Sequence, residues 1–403
     1  MLVAFLIAFV VSVVLIVALV PIAVRFGLVD KPCVRKRHDG IIPLVGGLAL
    51  YLTLLVLSLL FPFWKANDGI WLLGLGMPLL LLGMADDVLG ISAIKRLVVQ
   101  IFCSVIAIVY CDVGIDDVGH LLPGVSGTLV MLCVPLSIIS MVGVINAVNM
   151  TDGVDGLAGG LVTLSFSSLA YLAYPTYVDV SMQLLTIVAA LGGFLVFNSR
   201  FFGRKHAAIF MGDSGTMFLG LAIGWYFIFL SQGPTAVVTP VAALWMFAIP
   251  LLDTLTIMTR RIRHGHSPFT ADREHLHHIL MLAGFGVHRT VIIILLLHLV
   301  CIFIGMASVY FKVAEWITFG LFIALLVHYY IVMDHAWKVM KRVRHFREWA
   351  GFKDRRSENR DERGRRQYDD RREACNELSE DDRRGDNNER RVKARTAAIS
   401  DDA

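Results

Sequence analysis

Asp152 and Asp155 lie three residues apart in NAVNMTDGVDGLAGG (residues 146–160), where a long apolar run ends. One helical turn at that spacing puts both carboxylates on the same side. Asn149 adds a side chain that both donates and accepts, and the glycines, Gly153 among them, let phosphates approach the backbone closely. No lysine or arginine lies within the stretch. Acids without a counter-charge at the edge of a hydrocarbon layer are costly, so they imply a cation. Asp86 and Asp87 follow a second apolar run, and Asp213 stands in FMGDSG just before a third. Taken singly, each is a solvated helix end or a helix cap. Taken together on one face, they repel strongly unless Mg²⁺ or Mn²⁺, which prefer oxygen ligands, lies among them. Mg²⁺ uses one or two protein carboxylates and completes its shell with water and phosphate oxygens, which leaves at least one acid free to act as a base.

The loop at residues 260–285, RRIRHGHSPFTADREHLHHILMLAGF, gathers Arg261, Arg263 and Arg273 with His264, His266, His275, His277 and His278. No cysteine stands near, and the histidines lack the usual zinc spacing. Arginine and histidine beside acids read better as a cradle for anionic phosphates and a sugar. Residues 30–47 add a second basic patch, Arg35–Lys36–Arg37, for which positive-inside topology is an equal explanation.

The elements that position these groups are apolar. The 403 residues are 56% AVILMFWYC with a mean hydropathy of +0.67, and apolar segments recur from Leu2 to His335. That is the pattern of an all-α polytopic membrane protein. About eleven transmembrane helices are expected, near 2–24, 44–64, 69–85, 95–112, 128–148, 158–177, 183–198, 214–231, 236–257, 291–311 and 315–335. Pro135 marks a kink or break in the fifth. The first segment lacks a basic n-region and a small-residue cleavage site, so it reads as a retained span. Scattered cysteines argue against disulfides and zinc. Upstream of Lys338, only Lys65 and Lys312 among the basic residues fall outside alternate loops, which puts the N-terminus in the periplasm and the C-terminus in the cytoplasm. All the acidic clusters then face the cytoplasm, as suits chemistry at one membrane surface. Residues 1–336 form the transmembrane catalytic domain. Residues 337–403, a basic and acidic cytoplasmic tail, begin with an interfacial helix and continue as disordered chain. Gln100, Gln183 and His298 read as packing residues.

Together these segments resemble the polyprenyl-phosphate N-acetylhexosamine-1-phosphate transferases. The likeness is carried by GLVDKPCVRKRHDGIIPLVGG, the ADD at 85–87, NAVNMTDGVDGLAGG, FMGDSG and SPFTADREHLHHILMLAGF, in family order from residue 27 to 285. The resemblance implies transfer of GlcNAc-1-phosphate from UDP-GlcNAc to undecaprenyl phosphate, giving undecaprenyl-diphospho-GlcNAc and UMP. It also implies a Mg²⁺ or Mn²⁺ cofactor and a site on the cytoplasmic side of a bacterial inner membrane, feeding lipopolysaccharide O-antigen-type or other cell-wall polysaccharide synthesis. UDP-GalNAc, UDP-FucNAc or UDP-QuiNAc are alternative donors, a homodimer stays open, and no nucleic acid is involved. Asp213 matches the metal ligand and Phe210 an aromatic near the uracil. Asn149, Gly153 and Asp155 match the nucleotide pocket, with Asp152 and Asp155 as the acids of the central motif. Asp86 and Asp87 match the pair assigned to the lipid phosphate, and Arg261, His275, His277 and His278 the loop that recognises the sugar nucleotide. Where close relatives carry a further acid after the pair, this chain has Gly90. Direct displacement and a covalent aspartyl intermediate both fit these residues. The competing class is an ion-coupled transporter, in which the carboxylates are ion sites.

Overall fold

The computed structural model describes residues 1–30, 40–66, 69–124, 132–201, 204, 206–265, 267, 275–335 and 342. The chain divides into two units, Met1–Lys341 and Arg342–Ala403, and every described residue except Arg342 belongs to the first. The basic triplet 35–37, His266, Arg273 and, Arg342 apart, the expected tail elements lie outside the described residues.

Thirteen α-helices are described: α1 (Leu2–Phe26), α2 (Gly46–Leu60), α3 (Gly69–Leu89), α4 (Ala93–Cys111), α5 (Cys133–Thr151), α6 (Leu157–Ala173), α7 (Val178–Asn198), α8 (Gly212–Ser231), α9 (Pro240–Met246), α10 (Ala248–Arg263), α11 (Leu276–Leu282), α12 (Val287–Tyr310) and α13 (Glu315–Asp334). Each of the eleven expected apolar segments contains a helix among its described residues, α9 and α10 together making one of them. Among the described residues eight helices are long and apolar enough to cross a membrane, and the bent pair α9–α10 brings the number to nine. The apolar helices α2 and α6, of 15 and 17 residues, are shorter. At about 1.5 Å per residue they rise roughly 23–26 Å, less than a hydrocarbon core of about 30 Å.

Helix α8 is the hub, buried almost all round against α2, α3, α5 and α6. Small residues make such close packing feasible where neighbours are as apolar as lipid. A Cβ on Gly83 of α3 would lie 2.3 Å from Ser214 Cα, and one on Gly47 of α2 would lie 2.2 Å from the Gly215 nitrogen. Farther along, a Cβ on Gly220 would meet Ile145 Cα of α5 at 2.5 Å. A two-stranded antiparallel ribbon, β1 (Val29–Asp30) and β2 (Ile42–Pro43), leads into α2. Its outgoing backbone is tied to the approach to α8: Phe210 N–H donates to the Pro43 carbonyl, and Gly46 and Gly47 N–H donate to the Phe210 and Met211 carbonyls.

Three elements depart from the sequence reading, the first being the short helix α11 inside the stretch expected as a loop. Pro135 does not break α5; it sits in the first turn, where its absent N–H costs no helical bond. The segment expected as one span at 236–257 is bent by 85° between α9 and α10. Pro250 cannot donate to the Met246 carbonyl four residues back, and Ser165 Oγ of α6 donates to that carbonyl instead, at 2.8 Å. Ser165 Oγ also lies 3.0 Å from His298 Nε2. Gln183 likewise does more than fill space: its amide donates to the Phe63 and Ala66 carbonyls and accepts from Tyr226 Oη.

Candidate active site

Three helix ends meet around Asp213, the second residue of α8. Asn149, near the end of α5, donates from Nδ2 to Asp213 Oδ1 at 2.7 Å and to Thr216 Oγ1 at 2.8 Å. From the last turn of α3, Asp87 Oδ1 accepts the Asp213 backbone N–H at 3.0 Å, so this carboxylate sits at the positive end of α8. Its Oδ2 is shut off from solvent without a hydrogen-bond partner, and a Cβ on Gly212 would come within 2.5 Å of it. Gly212 has φ +73°, a conformation that further favours glycine. Asp86 Oδ1 accepts the Ile91 N–H at 2.6 Å, closing the turn after α3. Gly90, the position without the family's extra acid, has φ +66° in that turn, where glycine costs least.

Arg96, on the first turns of α4, joins the clusters. Its Nη1 lies 2.7 Å from Asp86 Oδ2 and 3.4 Å from Asp213 Oδ2. Asp155 is paired too, with Arg200 Nε at 2.7 Å and the Ala207 N–H at 3.1 Å. Beside it, Asn198 accepts the Gly156 N–H and donates to the Ile209 carbonyl, holding the central loop to the segment before α8. Two of the five carboxylates therefore have firm cationic partners that lie outside the acidic stretches. Asp152, which follows α5, is open to solvent on one side. The protein around it, then the charges of Asp213 and Asp155, push its carboxyl up to about 7.

The histidine loop reaches the same place. His275 and His277 stack at 5.5 Å, and the His277 and His278 rings are 4.2 Å apart. The His277 ring rests on Gly153, where a Cβ would lie 2.4 Å from its Nε2. Burial, then the neighbouring His278 and His275, holds His277 down at about 3, against a smaller opposing pull from Asp253. His277 is therefore a neutral ring, and its buried Nε2 has no hydrogen-bond partner. Arg261 is buried on α10. Phe210 is half-buried in the strand-like segment leading to α8.

The structure thus brings Asp86, Asp87, Asn149, Asp152 and Asp213 to one centre, with Gly153, His275, His277 and His278 against its edge and Asp155 turned into an ion pair beside it. Sequence reasoning missed Arg96, Thr216, Asn198, Arg200, Asp253 and Tyr329. Asp253 carried a usable signal: an ionisable residue inside an expected span is a functional candidate by default. Among the described residues no three His, Cys, Asp or Glu side chains are arranged to hold a metal ion unaided. The centre nevertheless fits Mg²⁺, since its free groups are carboxylate oxygens and the ion draws most of its shell from water and phosphate.

A multi-helix membrane protein with a carboxylate centre at converging helix ends defines the class. The model of glycosyl transferase family 4 matches residues 70–231. The undecaprenyl-phosphate alpha-N-acetylglucosaminyl 1-phosphate transferase of Pasteurella multocida is 36% identical over 355 residues, covering 87% of this chain and 98% of the relative. The enzymes of the same name from Salmonella typhi and Haemophilus influenzae are each 33% identical, covering 80% and 82% of this chain and 88% and 93% of their own. This chain belongs to glycosyl transferase family 4. The transferase names of these relatives leave the transporter reading without support.

Proposed function

We propose that this protein transfers GlcNAc-1-phosphate from UDP-GlcNAc to undecaprenyl phosphate at the cytoplasmic face of a bacterial inner membrane, with Mg²⁺ or Mn²⁺ as cofactor. The observation that carries this reading is the convergence of Asp86, Asp87, Asn149 and Asp213 from three separate stretches. The names of the relatives supply the sugar and the lipid.

In the reaction an oxygen of the lipid phosphate bonds to the β-phosphorus of UDP-GlcNAc. The bond from that phosphorus to the bridging oxygen breaks, and UMP leaves with the electron pair. Asp213, with Asp87 beside it, would hold the divalent ion, which when bound would offset charge on the pyrophosphate. Asn149 fixes the Asp213 carboxylate through Oδ1, and Arg96 places a positive charge at the same centre. Asp86 or Asp87 takes any proton left on the acceptor phosphate. A phosphate monoester's second pKa is about 6, so near neutral pH positioning contributes more than proton removal. Neutral His277 and its neighbours, packed on Gly153, present ring nitrogens and edges toward the sugar nucleotide.

The test offers purified protein a panel of radiolabelled UDP-N-acetylhexosamines with undecaprenyl phosphate, with and without EDTA. Label from UDP-GlcNAc should enter the lipid fraction with release of UMP, and EDTA should abolish it. Transfer from UDP-GalNAc in its place would change the sugar, and transfer undiminished by EDTA would remove the cofactor.

A further inference from the structure

A carboxylate inside an apolar helix is tolerated only where its oxygens are hydrogen-bonded. Asp253, in the bent half-span α10, is 4% exposed and meets that condition. Its Oδ2 lies 2.7 Å from His275 Nδ1. Its Oδ1 accepts the Leu276 N–H at 3.1 Å and the Tyr329 hydroxyl at 2.7 Å. The carboxylate therefore clasps three elements: α10, the start of the histidine segment with α11, and α13.

The consequence lies at the histidines. A carboxylate on Nδ1 fixes that nitrogen as the protonated one and orients the ring, leaving Nε2 as the atom open to other partners. His275 stacks parallel to His277 at an interplanar angle of 11°, and His277 rests on Gly153 next to Asp152. Position passes from Asp253 through two imidazoles to the acidic centre. The 85° bend at Phe247 helps, because it redirects α10, and with it Asp253, from the axis of α9.

We infer that Asp253, with Tyr329 as its second anchor, is a positioning residue that sets the orientation of the His275–His277–His278 cluster and thereby affinity for the nucleotide sugar. This rests on the donor reading above but assigns a role to residues outside the acidic centre.

The test uses full-length protein in nanodiscs and compares wild type with Asp253→Asn, Tyr329→Phe, His275→Gln and the double variant Asp253→Asn/His275→Gln. Partners that orient a metal-ligating histidine are typically worth 10–100-fold, and on the low end of that scale Asp253→Asn should raise KM for UDP-GlcNAc by about tenfold. KM for undecaprenyl phosphate should stay within about twofold, and Tyr329→Phe should raise the donor KM by about threefold, as suits one hydrogen bond. The double variant should be no worse than the poorer single, because both remove the same link. Multiplying losses, or losses in kcat and folded yield with both KM values unchanged, would overturn the inference. If Asp253→Asn does not fold, an unchanged donor KM in Tyr329→Phe overturns it alone. Equilibrium binding of UDP-GlcNAc needs no turnover, so weakened binding by the variants supports the clasp even where wild type yields no lipid product, a result that would sink only the proposed reaction.

Discussion

Arg96 touches carboxylates from two of the acidic stretches, at 2.7 Å to Asp86 and 3.4 Å to Asp213, and its side chain is 26% exposed. A guanidinium there would compete with the proposed divalent ion for Asp213. Replacing it with glutamine leaves a more negative centre, and Arg96→Gln should lower the half-saturating Mg²⁺ concentration by about three- to tenfold once screening is allowed for. Any loss of phosphate contact would appear separately, as a lower kcat at saturating Mg²⁺. A Mg²⁺ titration of the transfer rate checks both, and an unchanged midpoint would mean that the ion sits elsewhere. His277 supports a pH prediction. Its folded pKa of about 3 lies below the ordinary 6.5, so the folded state resists protonation that the unfolded state accepts. Stability from this group is intact above pH 6.5 and falls as pH drops toward 3, by about 2 kcal/mol at pH 5. Asp152, raised to about 7, works in the opposite sense, but it is common to wild type and His277→Gln. The variant should therefore lose less thermal midpoint between pH 7 and pH 5 than wild type does. At this scale the acids were legible because carboxylates beside apolar runs are rare enough to notice. Their partners were not: Arg96 and Asp253 lie inside expected spans and were not singled out, since the choice of partner is tertiary.

At the scale of elements, hydropathy located the long helices that surround the centre, though not the short α11 that carries His277 and His278, and it could not give direction. The run from 236 to 257 is apolar up to Asp253, and Pro250 is the one hint that α10 leaves the line of α9. Hydropathy also says nothing about how close two helices come. Glycines decide that here, and two in α3 make opposite predictions. A Cβ on Gly83 would stand 2.3 Å from Ser214 Cα, which is backbone and cannot swing aside. On Gly74 it would have nothing within 4 Å. Gly83→Ala should cost on the order of 1–3 kcal/mol through overpacking and shift Asp213 away from Asp87, reducing transfer even in the protein that folds. Gly74→Ala should be neutral or mildly stabilising, as exchange of glycine for alanine in a helix is. Thermal midpoints of the two proteins, measured in the same detergent, give the comparison. Equal midpoints would mean that α3 and α8 are not packed as described.

At the scale of the whole molecule, function depends on which ends of the helices share a side. Asp86 and Asp87 close α3, Asn149 closes α5, and Asp213 opens α8; their hydrogen bonds require those three ends to coincide. The proposed cytoplasmic placement of that side follows the positive-inside rule, since basic residues cluster in loops next to these ends while Lys65 lies at the other end of α2 and α3. The number of crossings does not enter this argument. Helices α2 and α6 are too short to span a full hydrocarbon core unaided, yet the coincidence of ends holds whether or not they cross it completely. Orientation can be tested with two exposed positions, Arg204 near the acidic centre and Lys65 far from it. In protein with its native cysteines replaced, Arg204→Cys should react with a membrane-impermeant maleimide in inside-out vesicles and not in intact spheroplasts. Lys65→Cys should show the reverse. The lipid phosphate and the nucleotide sugar meet only where water-soluble UDP-GlcNAc has access, so label at Arg204 from outside the cell would place the donor site away from its substrate and overturn the proposed reaction at that membrane.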